Sequence, residues 1–251
     1  MKMLKDKIAI VTGGGSGFGH AMSKLYAEEG AKVVVSDILV EDGEETVHEI
    51  IEAGGEAIFL KVDVSKPEEN ESLVKTAVKQ YGRLDIAFNN AGIGGTSAPI
   101  ADYPVEIFDK VIRINLCSVF YGMHYQIPQM LKNGGGVIVN MASVHGLVGF
   151  GGSAGYVAAK HGVVGLTKNV AIEYGQQNIR ANTVCPGFVE TKITEQLMKD
   201  KEAYDFLVRK HPMGRLGQID EVVDIVLWLS SDRSSFCNGG TYTVDGGYVA
   251  K

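Results

Sequence analysis

Seven short apolar runs punctuate the chain: Ile8–Thr12, Val33–Ser36, Ala57–Val62, Ile86–Asn89, Val137–Met141, Ala181–Cys185 and Tyr242–Val244. Most are rich in β-branched residues and lack polar alternation, the pattern of strands covered on both faces. Longer amphipathic stretches with helical spacing separate them. Ser65-Lys66-Pro67-Glu68 reads as a helix start, with Ser65 as N-cap, Pro67 in the first turn and Glu68 three residues past the cap. The acidic cluster Glu41, Asp42, Glu44 and Glu45 reads as a solvated helix start rather than a metal site, because carboxylates are favoured at the positive end of a helix. Strand–helix alternation repeated in this way predicts right-handed βαβ units. The expected fold is therefore α/β and doubly wound, a parallel sheet with helices on both faces. With no linker, charge block or repeat in the pattern, residues 1–251 read as one domain.

Composition narrows the classes. A length of 251 residues suits one large α/β domain at roughly 150 residues per domain. Glycine is in excess, 32 residues against a usual ~7%. Because 45% of residues are hydrophobic, that excess does not mean disorder. The net charge of −6 argues against a nucleic-acid binder, which needs a basic stripe. Cys117, Cys185 and Cys237 are widely spaced and form no CxxC, which fits a reduced, cytoplasmic setting. The first residues are too soon interrupted by charge for a signal peptide, and no run approaches the ~18 apolar residues of a membrane span.

The glycines gather where chemistry is expected. The first run passes into Thr12-Gly13-Gly14-Gly15-Ser16-Gly17-Phe18-Gly19, and a helical pattern (Ala21, Met22, Leu25, Tyr26) follows. Glycine permits a tight turn and lets backbone N–H groups approach a pyrophosphate at a helix N-terminus. Gly13, Ser16, Gly17, Phe18 and Gly19 are thus candidate cofactor contacts, although the spacing Gly-x-x-x-Gly-x-Gly differs from the common Gly-x-Gly-x-x-Gly. Asp37 closes the second run, 18 residues after Gly19. A carboxylate there accepts hydrogen bonds from adenosine ribose hydroxyls and repels a 2′-phosphate. The glycine turn carries no Arg or Lys and the next residue is Ile38, so NAD is expected rather than NADP. Asp63-Val64, ending the third run, can reach an adenine edge. Asn90-Ala91-Gly92, after the fourth, let the cofactor lie against the strand ends. All of these fall at one edge of a parallel sheet, the expected ligand edge.

Tyr156 and Lys160 are four apart in a strongly helical stretch, hence on one face. A tyrosine near its ordinary pKa of ~10 is a poor base at neutral pH, and an adjacent ammonium favours the phenolate. Tyr156 can then exchange a proton with an alcohol or carbonyl oxygen. Ser143, just past the fifth run, is placed to hydrogen-bond the same oxygen.

These motifs come in a set order. Thr12-Gly13-x-x-x-Gly17-x-Gly19 is followed by Asn89-Asn90-Ala91-Gly92, then by Ser143 thirteen before Tyr156-x-x-x-Lys160, then by Pro186-Gly187 and Val244-Asp245-Gly246-Gly247. In this the chain resembles, over essentially its whole length, a short-chain dehydrogenase/reductase of the single-domain kind. The resemblance implies a Rossmann-type, seven-stranded parallel sheet and a catalytic tetrad Asn115, Ser143, Tyr156 and Lys160. Asn115 would kink a helix over Phe108–Leu131 and hold a water linking Lys160 to solvent. Lys160 would also bond the nicotinamide ribose, alongside Tyr156. Pro186 and Gly187 would floor the nicotinamide, with Val189 and Thr191 at the carboxamide and pyrophosphate. Phe18, where the family more often has Ile or Leu, would pack under the nearby phosphate. A lid would cover the site over about 190–211. A homotetramer is implied, with the Phe108–Leu131 and Tyr156–Gly175 helices at one interface and 239–251 near another.

The substrate wall is expected from His145 and Phe150 after Ser143, Ile93 and Thr96 after Asn90, and Phe188 after Gly187. Being mostly apolar, it suits a small hydrophobic or cyclic ketone or secondary alcohol. His161, next to Lys160, should turn away from the site. Two other readings stand beside this one. A 3-oxoacyl-thioester reductase is disfavoured by Asp37, and a non-catalytic NAD-binding scaffold by the intact tetrad.

Overall fold

The seven apolar runs are the seven strands of the computed structural model, which describes residues 2–191 and 200–250. They are β1 (Ile8–Thr12), β2 (Lys32–Asp37), β3 (Glu56–Lys61), β4 (Ile86–Asn89), β5 (Gly136–Met141), β6 (Ile179–Pro186) and β7 (Thr241–Val244). They form one sheet in the order β3-β2-β1-β4-β5-β6-β7, every neighbouring pair parallel. The helices are α1 (Gly17–Glu28), α2 (Val40–Glu52), α3 (Pro67–Tyr81), α4 (Val105–Ile112), α5 (Ser118–Lys132), α6 (Ala154–Tyr174), α7 (Lys201–Lys210) and α8 (Ile219–Ser230).

Alternate strand residues feed two cores, which is why the runs show no polar alternation. On one face Ala9, Val11, Val33 and Val35 pack with Met22 and Tyr26 of α1, Ile50 of α2 and Val222 of α8. On the other, Ile10, Val34, Ala87 and Ile138 pack with Leu73 of α3, Met123 of α5 and Val163 of α6. Buried amides tie the middle of the sheet to this second layer. Asn89 Nδ2 donates to Asn140 Oδ1 (2.8 Å), Gln126 Nε2 to Asn89 Oδ1 (2.9 Å) and Asn140 Nδ2 to Thr167 Oγ1 (2.9 Å). A polar network with its members paired in this way makes one register of strands and helices preferable to its slips.

One local expectation needs adjusting. The cap of α3 is Lys66, with Pro67 in the first helical position, not Ser65. Ser65 is spent elsewhere: its N–H and hydroxyl both donate to Asp63 Oδ1 (3.0 and 2.7 Å). The stretch Phe108–Leu131 is interrupted at Asn115, where the resemblance implied a kink, and the interruption takes the form of a change in helix type. A π-turn over Arg113–Cys117 separates α4 from α5. The cluster Glu41–Glu45 lies at the start of α2, as expected. Among the described residues no helix is long and apolar enough to cross a membrane.

The strand order places a switch point between β1 and β4. From there the chain winds outward in both directions, leaving a crevice at the C-terminal strand ends.

Candidate active site

The crevice is built first by backbone. After Thr12 the chain turns through Gly13 (φ +64°) and enters α1 at Gly17 (φ +52°). The turn is fastened to β4: Thr12 Oγ1 accepts the N–H groups of Asn90 (3.0 Å) and Ala91 (3.1 Å), while Asn90 Nδ2 donates to the carbonyls of Thr12 (3.0 Å) and Gly13 (3.2 Å). α1 then presses on the turn so closely that a Cβ on Gly19 would stand 1.9 Å from the Gly13 oxygen. Ser16, the exposed N-cap of α1, makes no side-chain cap bond, and the first turn holds no acidic residue. A Cβ on Gly17 would meet nothing within 4 Å. A helix start whose N–H groups are left to an outside acceptor, behind an open glycine, fits a dinucleotide pyrophosphate.

Asp37, at the end of β2, has its carboxylate turned to this loop. Oδ2 accepts the Gly15 N–H (2.9 Å) and Oδ1 the Leu39 N–H (3.0 Å). Ile38 beside it is exposed. Asp63 lies at the next strand end, where the Ser65 hydroxyl, ahead of Lys66, holds its carboxyl below the usual range. Val64 is half-buried next to it, and Phe18 packs against the core under α1.

Asn115 sits in the π-turn, fully buried. Its Oδ1 accepts the Ile93 N–H (2.8 Å) and its Nδ2 donates to the Ile93 carbonyl (2.7 Å), so the amide clamps the loop after β4, next to Gly92. Turns of this type relax the helix ladder locally and are found mostly at functional sites.

Ser143 follows β5 in extended backbone (φ −173°) and its Oγ accepts the His145 N–H (3.2 Å). The short turn after it lies on α6, where a Cβ on Gly146 would be 2.8 Å from the Lys160 carbonyl oxygen. That close approach brings Ser143 to Tyr156 in the first turn of α6. One turn on, Lys160 is buried, donates from Nζ to the Met141 carbonyl (2.8 Å) and lies 5.5 Å from the Tyr156 ring centre. Burial pushes the ammonium down to about 8. Burial also raises the Tyr156 phenol, with a Ser143 hydrogen bond pulling against it. In the chain alone desolvation penalises both charged forms. His161 is exposed with Nδ1 at the Val157 carbonyl (2.9 Å), turned away as expected.

The far wall comes from three distant segments. Pro186 ends β6 and the Gly187 N–H donates to the Val244 carbonyl (3.0 Å). Val189 is buried and bridges to Gly217, with Thr191 half-buried two residues on. Phe150 stacks on His145 at 4.5 Å and 28°, and Phe188 stands edge-on to it at 5.6 Å. Two further members escaped sequence reasoning. Tyr248 lies 6.1 Å from both His145 and Phe188. His211 lies 5.3 Å from Tyr248, its Nδ1 donating to the Leu207 carbonyl (2.8 Å) and its Nε2 accepting the Phe188 N–H (3.2 Å). The signal for Tyr248 was the Asp245-Gly246-Gly247 turn, whose glycines (φ +54° and +85°) fold the tail back. His211 had no local signal. Ile93 stands at the rim with its backbone clamped, whereas Thr96 is exposed. A cavity of about 560 Å³ opens between 97–100 and 150–154, with Phe150 in its wall. Of the expected lid over 190–211, residues 192–199 lie outside the described residues. The described residues contain no cluster of His, Cys, Asp or Glu able to hold a metal ion.

A doubly wound sheet with a glycine turn at its switch point, and Ser143, Tyr156 and Lys160 gathered at the next strand ends, defines a dinucleotide-type oxidoreductase working on CH–OH groups. Comparison with known proteins agrees. The family model described as Enoyl-(Acyl carrier protein) reductase matches residues 13–249. Cyclohexanol dehydrogenase of Acinetobacter sp. (strain SE19) is 45% identical over 246 residues, covering 98% of this chain and 96% of the relative. Levodione reductase of Leifsonia aquatica is 39% identical over 253 residues, 98% and 95% of the two chains. Carveol dehydrogenase from Mycobacterium avium, solved in complex with NAD, superposes at a TM-score of 0.96 with 28% identity, covering 100% of each chain. The chain belongs to the short-chain dehydrogenase/reductase family.

Proposed function

We propose that the protein interconverts a small hydrophobic, cyclic secondary alcohol and its ketone with NAD(H), Tyr156 being the general acid/base. The observation that carries this reading is the placement of Tyr156 and Lys160 on one face of α6 beside Ser143, with Lys160 anchored to the Met141 carbonyl. Gly13, Ser16, Gly17, Phe18 and Gly19 would hold the pyrophosphate. Asp37 and Ile38 would hold the adenosine ribose, and Asp63, Val64, Asn90, Ala91 and Gly92 the adenine side and strand ends. Pro186, Gly187, Val189 and Thr191 would hold the nicotinamide. When bound, NAD would supply the hydride acceptor for the carbinol carbon, and NADH the donor for the reverse direction. Ser143 fixes the reacting oxygen and Tyr156 takes or gives its proton. Lys160 would bond the nicotinamide ribose and, as a cation, would make the phenolate easier to form once the site is filled. Ile93 takes one acceptor and one donor position of the Asn115 amide, which leaves a lone pair and an N–H for a relay water.

NAD rather than NADP rests on the Asp37 carboxylate beside Gly15 and on the exposed, uncharged Ile38. Replacing Asp37→Ala together with Ile38→Arg is expected to lower kcat/KM with NAD and raise it with NADP, each by about tenfold, the worth of a charge-assisted hydrogen bond gained or lost. Initial rates with the two cofactors decide it, and an unchanged preference would remove Asp37 from the ribose site.

The thioester-reductase reading has a 3-oxoacyl-[acyl-carrier-protein] reductase of Thermotoga maritima, 38% identical over 246 residues, in its favour. The cyclic relatives and the aromatic wall favour the ring substrate. Assays with cyclic ketones against acetoacetyl thioesters separate the two. A homotetramer in a reduced, cytoplasmic setting completes the reading. It is supported by the exposed Phe120 on α5 and Ile172 on α6 and by the three free thiols. Sedimentation at assay concentration should show four copies, and a stable monomer would refute it.

A further inference from the structure

His145 is 6% exposed, and its Nε2 is fully buried without a hydrogen-bond partner. Nε2 is the distal nitrogen of the ring, so it projects away from the backbone of the Ser143 turn. What surrounds the ring there is aromatic: Phe150 stacked at 4.5 Å, with Tyr156, Phe188 and Tyr248 edge-on at 6.1, 5.6 and 6.1 Å. Of these neighbours only Tyr156 and Tyr248 carry hydroxyls, and neither bonds His145 Nε2; the rest offer ring faces and edges. A buried polar atom left unpaired among apolar groups is costly, so a native structure that keeps one beside its active site calls for a reason.

Building on the ring-alcohol reading above, we infer that His145 is a specificity-determining residue whose Nε2 hydrogen-bonds a second oxygen on the substrate ring. The enzyme then favours diols, hydroxyketones and diones over rings carrying one oxygen. Tyr156 and Ser143 take the reacting oxygen. The aromatic rings take the faces of the carbocycle. His145 reads the remaining oxygen. Burial brings the imidazole down to about 4, so it stays neutral at working pH. A neutral imidazole has one N–H and one lone pair, and exchanging tautomers lets it serve a hydroxyl or a carbonyl. A site that must hold both redox partners of one substrate needs that versatility.

The test compares cyclohexanol with the 1,2-, 1,3- and 1,4-cyclohexanediols, NAD being the acceptor, in the wild type, His145→Phe and His145→Gln. At least one diol should exceed cyclohexanol in wild-type kcat/KM. In His145→Phe that ratio should fall about tenfold, the worth of one lost hydrogen bond, mainly through KM. In His145→Gln, which keeps a donor and an acceptor, most of the ratio should return. A wild type with no preference for any diol overturns the inference without recourse to a variant. So does a ratio unmoved by His145→Phe, or a loss that Gln does not restore. Wild-type turnover of ring alcohols without such discrimination defeats this inference alone. Absence of turnover on every ring alcohol defeats the proposed function along with it.

Discussion

Tyr156→Phe is expected to lower kcat by about two to four orders of magnitude, the usual worth of a positioned general acid/base. The substitution removes one hydroxyl from a side chain already held by α6 and by the edge of His145, so the fold should persist. The pH profile supplies a second readout. On the proposed mechanism, oxidation needs the phenolate and reduction needs the phenol. Alcohol oxidation by the wild type should therefore rise with pH toward the phenol pKa, while ketone reduction falls. In the chain alone burial lifts that phenol, and Lys160 is itself brought down to about 8. A kinetic pKa below the ordinary tyrosine value would thus measure what the bound cofactor and the Lys160 cation add. Steady-state rates across pH 6–10, taken as a range of roughly two units around that value of about 8, check both points. Retention of the pH-dependent limb in Tyr156→Phe would move the acid/base role to another group.

Gly19→Ala should be the most damaging change in the cofactor turn. A Cβ there would stand 1.9 Å from the Gly13 carbonyl oxygen, 2.7 Å from its carbon and 2.8 Å from Asn90 Nδ2. Two of these atoms are backbone, and the third belongs to the amide that fastens β4 to β1. Relief requires the turn to open, at a cost of about 1–3 kcal/mol by analogy with other overpacked sites. Urea denaturation should show that loss, and fluorescence titration should show NAD affinity reduced by about tenfold or more. Equal midpoints and equal affinities would mean that α1 is free to slide away from the turn. Gly17 makes the contrast: its Cβ would meet nothing within 4 Å, and the price of substitution is confined to its left-handed backbone (φ +52°) and to the space left for the ligand.

The proposed cofactor half of the site could be read from sequence because it is local. Gly13 to Gly19, Asp37 and Asn90 each lie directly after an apolar run, and the ends of parallel strands must come together at one edge. The proposed acid/base pair, Tyr156 and Lys160, could be read for the same kind of reason, four residues apart on a helix. Ser143 and His145 could be placed near it only through the length of the connection. The cap of α3 was misjudged because Ser65 had a better partner in Asp63 than in the helix, a competition that the local motif does not display.

By itself the sequence determined the strands, the two apolar faces of the sheet, the glycine turn and the Tyr156–Lys160 face, since all of these follow from periodicity and short-range sterics. Tertiary structure alone decided the rest. The π-turn around Asn115 exists beside a buried amide that bonds Ile93, 22 residues away. The aromatic cluster proposed as the substrate wall gathers His145, Phe188, His211 and Tyr248 from segments up to about a hundred residues apart. The proton affinities of Tyr156 and Lys160 moved because packing removed their water. Desolvation and long-range contact are properties of the folded density around a residue, and no window of sequence carries them.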